Sequence, residues 1–262
     1  ALDIDGDGKP EVVHVPLQGR ECTAKGNFMD GRPVRVIAYK VPKNPLSPEA
    51  WKPEVLVDEL HVMHNFAGVE SRKGFYILAT SYEGVYDLRK SADKWLAHKI
   101  GEGNQANPKS NRGASEIKGS LKNGGLDLVA TIEPWHGNQV VVYKPGSSAK
   151  ELWNRKVIDE QLRWGHALAF ADLDGDGTDE LIAGVRDDPN PKLGDSFSER
   201  RGVRIYRNVD GKGTQWERYL LENGGVAVED LAAGDLNGDG RIDIVAVGRA
   251  TGNARIYWNM GK

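Results

Sequence analysis

Short apolar segments that alternate with polar positions follow one another along the chain, and no long helical periodicity interrupts them. Four of these segments end in tyrosine and have a period of two residues, so each is predicted to form a β-strand with one apolar face. They are residues 35–39, 139–143, 203–206 and 254–257. Four tryptophans, each with a leucine or isoleucine five residues later, mark a further strand: Trp51, Trp95, Trp153 and Trp216.

An acidic repeat of the form Asp-x-Asp/Asn-Gly-Asp-Gly directly precedes an apolar strand at three places: residues 3–11, 172–180 and 235–243. Two other segments, residues 76–80 and 126–131, keep the apolar strand but lack the acidic loop. Each unit is therefore predicted to contain strand A, a turn, strand B, a loop, strand C, a turn and strand D. Repetition of four antiparallel strands predicts an all-β protein with the β-propeller fold.

The repeats predict five units within a single propeller domain that spans residues 1–262. The units cover about 1–60, 61–108, 109–162, 163–224 and 225–262. The first lacks most of strand A and the last ends after strand C, so both ends of the sequence are expected to fall within a blade. Two arrangements are open: a stretch of a larger ring, such as a seven-bladed one, or a five-bladed ring whose two ends complete a shared blade. The segment 47–50 could form one helical turn.

The acidic repeat places oxygen atoms at alternate positions of a tight loop, which is the ligand pattern that Ca²⁺ prefers. Loop positions 1, 3, 5 and 9 would supply side chains and position 7 a carbonyl, while glycine at position 6 permits the sharp turn. The predicted ligands are Asp3, Asp5, Asp7, Lys9 and Glu11; Asp172, Asp174, Asp176, Thr178 and Glu180; and Asp235, Asn237, Asp239, Arg241 and Asp243. Up to three structural Ca²⁺ ions are expected. A solvated acidic turn and an EF-hand are the alternatives, but strands rather than helices flank these loops.

Composition narrows the classes of function. Charged residues make up 28 % of the chain and the formal net charge is −3, so no basic surface for a nucleic acid is predicted. No apolar run of roughly 18 residues occurs, so no membrane span is predicted. The single cysteine, Cys22, has no partner for an internal disulfide bond.

Residues 171–177 and 234–240 resemble FG-GAP/VCBS repeats, which occur in integrin α-subunit heads and in many secreted bacterial proteins. This resemblance implies a calcium-binding propeller but no single activity, because one fold serves many functions. A narrower resemblance is to the propeller domain of aldos-2-ulose dehydratase and its bacterial relatives. It is carried by residues 112–116, 132–139, 163–166 and 226–230. That resemblance implies elimination of water from a keto-sugar at a site that uses a metal.

In a propeller, the start of strand A and the loop between strands B and C open on the same face, around the central channel. Counting thirteen residues from the strand-D tryptophans gives His64, His166 and Glu229 at the start of strand A. The third unit, with a longer link, offers Arg112 or Ser115. The loops supply Tyr82, Glu83, Glu133, Trp135, His136, Arg186, Asp187 and Arg249.

The candidate catalytic residues are His64, Glu133, His136, His166, Arg186 and Glu229. Histidine and glutamate together could hold Zn²⁺ or another divalent metal with an open coordination position. Such a metal would polarise a ketone, a neutral histidine or a carboxylate would take the neighbouring proton, and a second acid would protonate the departing hydroxyl. Each residue also has a purely structural interpretation. The insertion at residues 187–201 is predicted to lie on the same face as a lid or binding loop.

Two classes of function are left open. The first is a metal-assisted lyase or dehydratase that acts on keto-sugars or glycans. The second is a non-catalytic propeller that binds a glycan or a protein partner, with Ca²⁺ as its only metal. Calcium loops of extracellular modules bind at about 10⁻⁴–10⁻³ M, so a secreted, periplasmic or cell-surface location is expected.

Overall fold

The computed structural model describes residues 1–72, 74–148, 150–186 and 201–261, and these residues form five antiparallel sheets. The second, third and fourth sheets have four strands each, and the first and fifth have three. The single helical segment in the described residues is a 3₁₀ turn at Pro48–Ala50. The predicted all-β fold class is confirmed.

Strands that follow each other in the sequence are neighbours within each sheet. The first sheet contains β1 (Glu11–His14), β2 (Val34–Lys40) and β3 (Pro53–Leu60). The second contains β4 (Phe66–Ser71), β5 (Gly74–Ser81), β6 (Gly84–Ser91) and β7 (Lys94–Gly101). The third contains β8 (Ile117–Lys122), β9 (Gly125–Glu133), β10 (Gln139–Lys144) and β11 (Asn154–Asp159). The fourth contains β12 (Gly165–Ala171), β13 (Glu180–Val185), β14 (Gly202–Asn208) and β15 (Trp216–Leu220). The fifth contains β16 (Val228–Gly234), β17 (Asp243–Gly248) and β18 (Asn253–Tyr257).

Successive sheets pack face to face, and an apolar cluster fills each of the four spaces between them. Strands in the middle of this array are buried on both faces, so successive side chains enter different clusters. On β9, Leu128 and Ala130 pack in the cluster shared with the fourth sheet, whereas Val129 packs in the cluster shared with the second.

The first strands of the later sheets lie closest together. Strand β4 contacts β8, β8 contacts β12, and β12 contacts β16. This places the first strands on the inside of a fan of sheets, as in the blades of a propeller. No strand of the fifth sheet pairs with the first sheet among the described residues, so this part of the chain does not form a closed ring.

Candidate functional site

Two of the inner strands begin with a β-bulge that directs a side chain out of the regular pattern. In the pairing of β12 with β13, His166 has no partner residue on the opposite strand, and Glu229 has none in the pairing of β16 with β17. A bulge leaves the extra residue unpaired and re-aims its side chain, which is why bulges are common beside functional sites. His166 and Glu229 thus occupy equivalent positions in neighbouring sheets.

The equivalent residues of the second and third sheets are His64 and Glu116. The N–H of Thr80 donates to the carbonyl of Asn65, the residue after His64, at 3.2 Å. Its counterpart Thr131 pairs with Ile117, the residue after Glu116. The third unit therefore contributes Glu116 at this position, rather than Arg112 or Ser115. Alignment of strand A with its partner strand B, instead of a fixed count from the tryptophan, would have identified Glu116.

A third histidine enters from the loop between β9 and β10. His136 has a φ of +50°, and a cis peptide bond joins Glu133 to Pro134 in the same loop. The His136 backbone N–H donates to the hydroxyl of Ser115 at 3.2 Å. Ser115 thus fixes the position of the loop that carries His136.

The three imidazoles form a compact group, hereafter the histidine cluster (His64, His136 and His166). The ring centroids of His64 and His136 are 4.3 Å apart, and those of His136 and His166 are 4.8 Å apart. One ring nitrogen of each residue lies within 4.8 Å of the other two. This arrangement suits a divalent metal with imidazole ligands.

The surroundings favour uncharged imidazoles. Burial lowers the pKa of His136 to about 2, and the positive charges of His64, His166 and Arg186 add to this effect. Burial also lowers the pKa of His166, and Arg186 lowers it further, against the opposing effect of Glu116. Neutral histidine is the form that binds metals.

The hydrogen bonds of the ring nitrogens agree with such a site. Nδ1 of His166 lies 2.7 Å from the carbonyl oxygen of Glu229, so it is the donor and Nε2 keeps its lone pair. Nδ1 of His64 and Nδ1 of His136 are buried and have no hydrogen-bond partner among the described residues. Unpartnered buried nitrogens are costly unless another group satisfies them, and a bound metal would do so.

Glu116 lies directly against the cluster. Its Oε1 atom is 3.0 Å from Nδ1 of His64, and its side chain is 4 % exposed. Its Oε2 atom accepts a hydrogen bond from Nδ2 of Asn65 at 2.5 Å. Neither Glu116 nor Asn65 was singled out by the sequence analysis.

Aromatic rings surround the histidine cluster. The ring of Trp164 stacks on His136 at 5.6 Å, and Trp135 lies 5.1 Å from the same imidazole. Tyr82 packs against Trp135 at 5.7 Å, and the guanidinium of Arg186 lies 5.6 Å from the ring centre of Trp164. These rings give the cluster apolar walls.

The carboxylate of Glu229 is directed toward two arginines. It lies 3.0 Å from Arg186 and 3.4 Å from Arg249. Burial raises the pKa of Glu229, but the hydrogen bond from Arg186 and the nearby positive charges outweigh it, so the net shift is downward. Glu229 is therefore ionised at neutral pH and about one-third exposed, since 32 % of its side chain is accessible.

Glu133 is not brought into the histidine cluster. Its buried carboxylate accepts hydrogen bonds from Thr131 at 2.8 Å, from Tyr143 at 2.6 Å and from Arg155 at 2.6 Å. These contacts hold strands β9, β10 and β11 together. Asp187 and most of the insertion at residues 187–201 lie outside the described residues.

Two acidic loops gather their carboxylates. Ligand atoms of Asp3, Asp5 and Glu11 lie within 4.8 Å of one another, and so do those of Asp172, Asp174 and Glu180. Asp7 and Asp176 are not part of these groups.

The third loop has the same turn but no such group of carboxylates in the described structure. Asp235 accepts the N–H groups of Gly238 and Gly240 at 2.7 and 2.9 Å, as the first aspartate does in the other two loops. Asp239 pairs with Arg241 at 2.6 Å. Asn237 replaces the second aspartate, and Asp243 accepts the N–H of Leu236 at 3.1 Å.

Two known sequence families match parts of this chain. The sequence model of the aldos-2-ulose dehydratase β-propeller domain matches residues 23–146, and that of the FG-GAP-like repeat matches residues 196–246. The chain is related to the β-propeller of aldos-2-ulose dehydratase. The aldos-2-ulose dehydratase of Phanerodontia chrysosporium is 26 % identical over 238 residues, which cover 82 % of this chain. The chain spans about a quarter of that relative, since the match covers 25 % of its length.

One solved structure supports the fold. A candidate 6-phosphogluconolactonase from Bacteroides uniformis matches 87 % of the chain with a TM-score of 0.51 and 16 % identity, and the match covers 64 % of that protein. A second candidate 6-phosphogluconolactonase, from Bacteroides fragilis, matches with a TM-score of 0.45 and 12 % identity, covering 87 % of this chain and 67 % of that one.

None of the described helical segments is long and apolar enough to cross a membrane.

Proposed function

We propose that this propeller eliminates water from a carbonyl-bearing sugar at the histidine cluster, with a divalent metal held by His64, His136 and His166. The observation that supports this most strongly is the convergence of three partly buried imidazoles from three sheets, with one nitrogen of each within 4.8 Å of the others. The relationship to aldos-2-ulose dehydratase supports the class of reaction. When bound, the metal would act as a Lewis acid toward a ketone oxygen.

The residues around the cluster have the chemistry that elimination requires. Glu229 is ionised and partly exposed, so it is the carboxylate that we assign to accept the proton from the carbon beside the ketone. The electron pair of that C–H bond would form the C=C bond as the neighbouring C–O bond breaks, and the proton taken up by Glu229 would pass to the departing hydroxyl, which leaves as water. We assign Arg186, which Glu229 holds at 3.0 Å, to bind the departing or carbonyl oxygen.

The aromatic walls would exclude water and bind the sugar. Trp135 and Trp164 flank His136, and rings of this kind contact the apolar C–H face of a sugar while their edges stay polar. Exclusion of water also strengthens electrostatic contacts within the site.

The acidic loops are the second metal sites that we propose, and their role is structural. We propose that the loops with Asp172 and Asp3 bind Ca²⁺ and fix the turns at the far ends of the inner strands. Burial raises the pKa of Glu180, and its acidic neighbours raise it further, so a cation would relieve an unfavourable environment. A dissociation constant of about 10⁻⁴–10⁻³ M for Ca²⁺ at these loops would support function outside the cytosol.

An activity assay tests the proposal. Metal-stripped protein, reloaded with Zn²⁺, Mn²⁺ or Co²⁺, is incubated with an aldos-2-ulose, and formation of the unsaturated ketone is followed by ultraviolet absorbance. We expect product with the wild type and with His98→Ala, an exposed control, and none with His136→Ala. Equal rates for all three proteins, or no product with any metal, would contradict the proposed reaction. Sugar binding without product would indicate a non-catalytic binding module.

A further inference from the structure

We propose that Lys40 competes with Ca²⁺ for the first acidic loop (residues 3–11). Its ammonium group pairs with the loop carboxylates at low calcium and is displaced when the ion binds. This inference rests on the proposed function in assuming that the loop takes up Ca²⁺. It adds that a residue outside the acidic repeat sets how much calcium the loop requires. Lys40 is the last residue of β2, the strand that pairs with β1 directly after the loop.

The side chain of Lys40 reaches two carboxylates of the first acidic loop. Its Nζ atom lies 2.5 Å from Oδ2 of Asp5 and 3.4 Å from Oδ2 of Asp7. The backbone of Lys40 lies opposite Glu11 in the β1–β2 pair. Asp5, Asp7 and Glu11 are all predicted calcium ligands, so the ammonium group and the ion require carboxylates of the same loop.

The carboxylates of this loop are close enough to need a positive partner. Ligand atoms of Asp3, Asp5 and Glu11 lie within 4.8 Å of one another. Carboxylates at such distances repel each other, and a nearby cation of either kind relieves the repulsion. Two cations at the same carboxylates would repel each other in turn. Binding of Ca²⁺ therefore requires the Lys40 side chain to move away, and it can turn into solvent because 62 % of it is exposed.

The position of Lys40 recurs in the other sheets with an acidic loop. Lys40 follows the strand-C tyrosine of the first sheet, and Arg207 follows that of the fourth. Nε of Arg207 lies 3.6 Å from Oδ2 of Asp174, the third residue of its loop. The fifth sheet has Trp258 at this position, and the third residue of its loop is Asn237. The two loops with an acid in third place thus have a basic partner on strand C, and the loop with an amide there has none at this position.

Sheets without an acidic loop use the same position differently. Lys144 of the third sheet donates to the backbone carbonyl of Lys212, in the turn between β14 and β15. Arg89 of the second sheet pairs with Asp87 on its own strand. A basic residue at this position is therefore common to four sheets, and in the first and fourth sheets its side chain contacts the acidic loop.

The ion pair is closer in the first loop than in the loop of the fourth sheet. Lys40 contacts two carboxylates, the nearer one at 2.5 Å, whereas Arg207 contacts one at 3.6 Å, which is too long for a hydrogen bond. The lysine ammonium is also a more compact charge than the arginine guanidinium. We therefore expect the first loop to bind Ca²⁺ more weakly than the loop of the fourth sheet.

The test measures calcium binding and melting for the wild type, Lys40→Met, Arg207→Met and Lys43→Met. Methionine keeps a long unbranched side chain but carries no charge. Lys43 is the control because it is an exposed lysine shortly after the end of β2. Isothermal titration calorimetry gives the affinities for Ca²⁺, and melting curves in a calcium chelator show whether each variant folds.

We expect Lys40→Met to bind Ca²⁺ at least about threefold more tightly at the weaker site, because the ion no longer has to displace an ion pair. In chelator the same variant should melt below the wild type, since the loop carboxylates have lost their counter-charge. Arg207→Met should change the affinity less, and Lys43→Met should match the wild type in both measurements.

Three results would count against the proposal in different ways. Unchanged or weaker calcium binding by Lys40→Met would overturn the competition and leave the calcium sites in place. A larger gain of affinity in Arg207→Met than in Lys40→Met would overturn the order of the two loops. Failure of the wild type to bind Ca²⁺ would overturn both this proposal and the calcium sites on which it rests.

A measurement on the wild type covers the case in which Lys40→Met does not fold. Its lysines are labelled briefly with an acylating reagent, in Ca²⁺ or in NaCl of the same ionic strength, and mass spectrometry of the peptides gives the rate at each lysine. We expect Ca²⁺ to accelerate acylation of Lys40 but not of Lys43, because displacement frees the Lys40 amine from its carboxylate partners. Equal rates at Lys40 in the two solutions would overturn the proposal.

Discussion

Tyr206 of the fourth sheet donates a hydrogen bond to Asp159 at the end of the third sheet, with 2.7 Å between the two oxygens. Arg218 donates to the same carboxylate oxygen at 2.6 Å. The next pair of sheets repeats this contact, because Arg255 binds Glu222 at 2.9 Å and Tyr257 lies 3.4 Å from the same carboxylate. An acid at the end of strand D, or just after it, thus joins each of these sheets to the next.

Removal of the Tyr206 hydroxyl should destabilise the protein. Tyr206→Phe leaves the packed ring in place but deprives buried Asp159 of a hydrogen bond, which costs about 1–3 kcal/mol. Urea unfolding measures the change, and Tyr219→Phe, at a half-exposed position on β15, is the control. If the two variants unfold at the same urea concentration, the contact between sheets contributes nothing measurable.

His136 is expected to be indispensable for binding of the channel metal. It lies between His64 and His166, so His136→Ala removes the central ligand and should reduce the transition metal bound per chain to the level of a chelator-treated sample. Metal analysis after calcium removal and dialysis measures this. His98→Ala, on an exposed position of β7, should keep the wild-type metal content; the same metal content in both variants would argue against the site.

Calcium removal should lower the melting temperature. Asp172, Asp174 and Glu180 converge at the turn between β12 and β13, so Ca²⁺ would bind the folded state alone and raise its stability. Glu180→Gln is expected to lose part of this calcium-dependent rise, whereas Glu54→Gln, at an exposed site on β3, should keep all of it. Scanning calorimetry with and without a calcium chelator makes the comparison. A melting temperature that does not respond to Ca²⁺ in the wild type would contradict the calcium assignment.

Asp210 should make the stability of the folded state depend on pH. Although burial opposes the shift, hydrogen bonds from Thr214, Lys212 and Gln215 lower the pKa of Asp210 below its usual 3.8. A carboxyl group whose pKa is lower in the folded than in the unfolded protein stabilises the folded state at a pH above its unfolded-state pKa. That stabilisation is lost as the pH falls through the folded-state pKa. Asp210→Asn should therefore melt below the wild type at neutral pH, and the difference should shrink in acid below pH 3.8.

Melting curves at several pH values measure this difference. Asp93→Asn, on an exposed turn, is the control and should show no such trend. A difference between Asp210→Asn and the wild type that stays constant from neutral to acid pH would contradict the mechanism.

Several features of the fold followed from local sequence patterns. Segments rich in β-branched residues that end in Tyr143, Tyr206 and Tyr257 predicted strands, and each lies in a strand of the structure. The tyrosine itself had no assigned role, since its acidic partner is distant in sequence, as Asp159 is from Tyr206.

The candidate site was harder to predict from the sequence than the strands were. His64, His136 and His166 were named because repeat equivalence places inner-strand starts and loops on one face, and they lie together in the structure. Glu116 was missed because the link before β8 differs in length, so a fixed count from the tryptophan fails there. Glu133 was named, but the contacts of its carboxylate with Tyr143 and Arg155 depend on register between strands, which the repeat pattern does not specify.

The central claim is that a divalent metal lies among the imidazoles of His64, His136 and His166. A crystal structure of protein reloaded with Co²⁺ or Zn²⁺, with diffraction data collected on both sides of the metal absorption edge, tests it most directly. The account predicts one anomalous peak within bonding distance of a nitrogen from each of the three rings. Absence of a peak between these rings would contradict it.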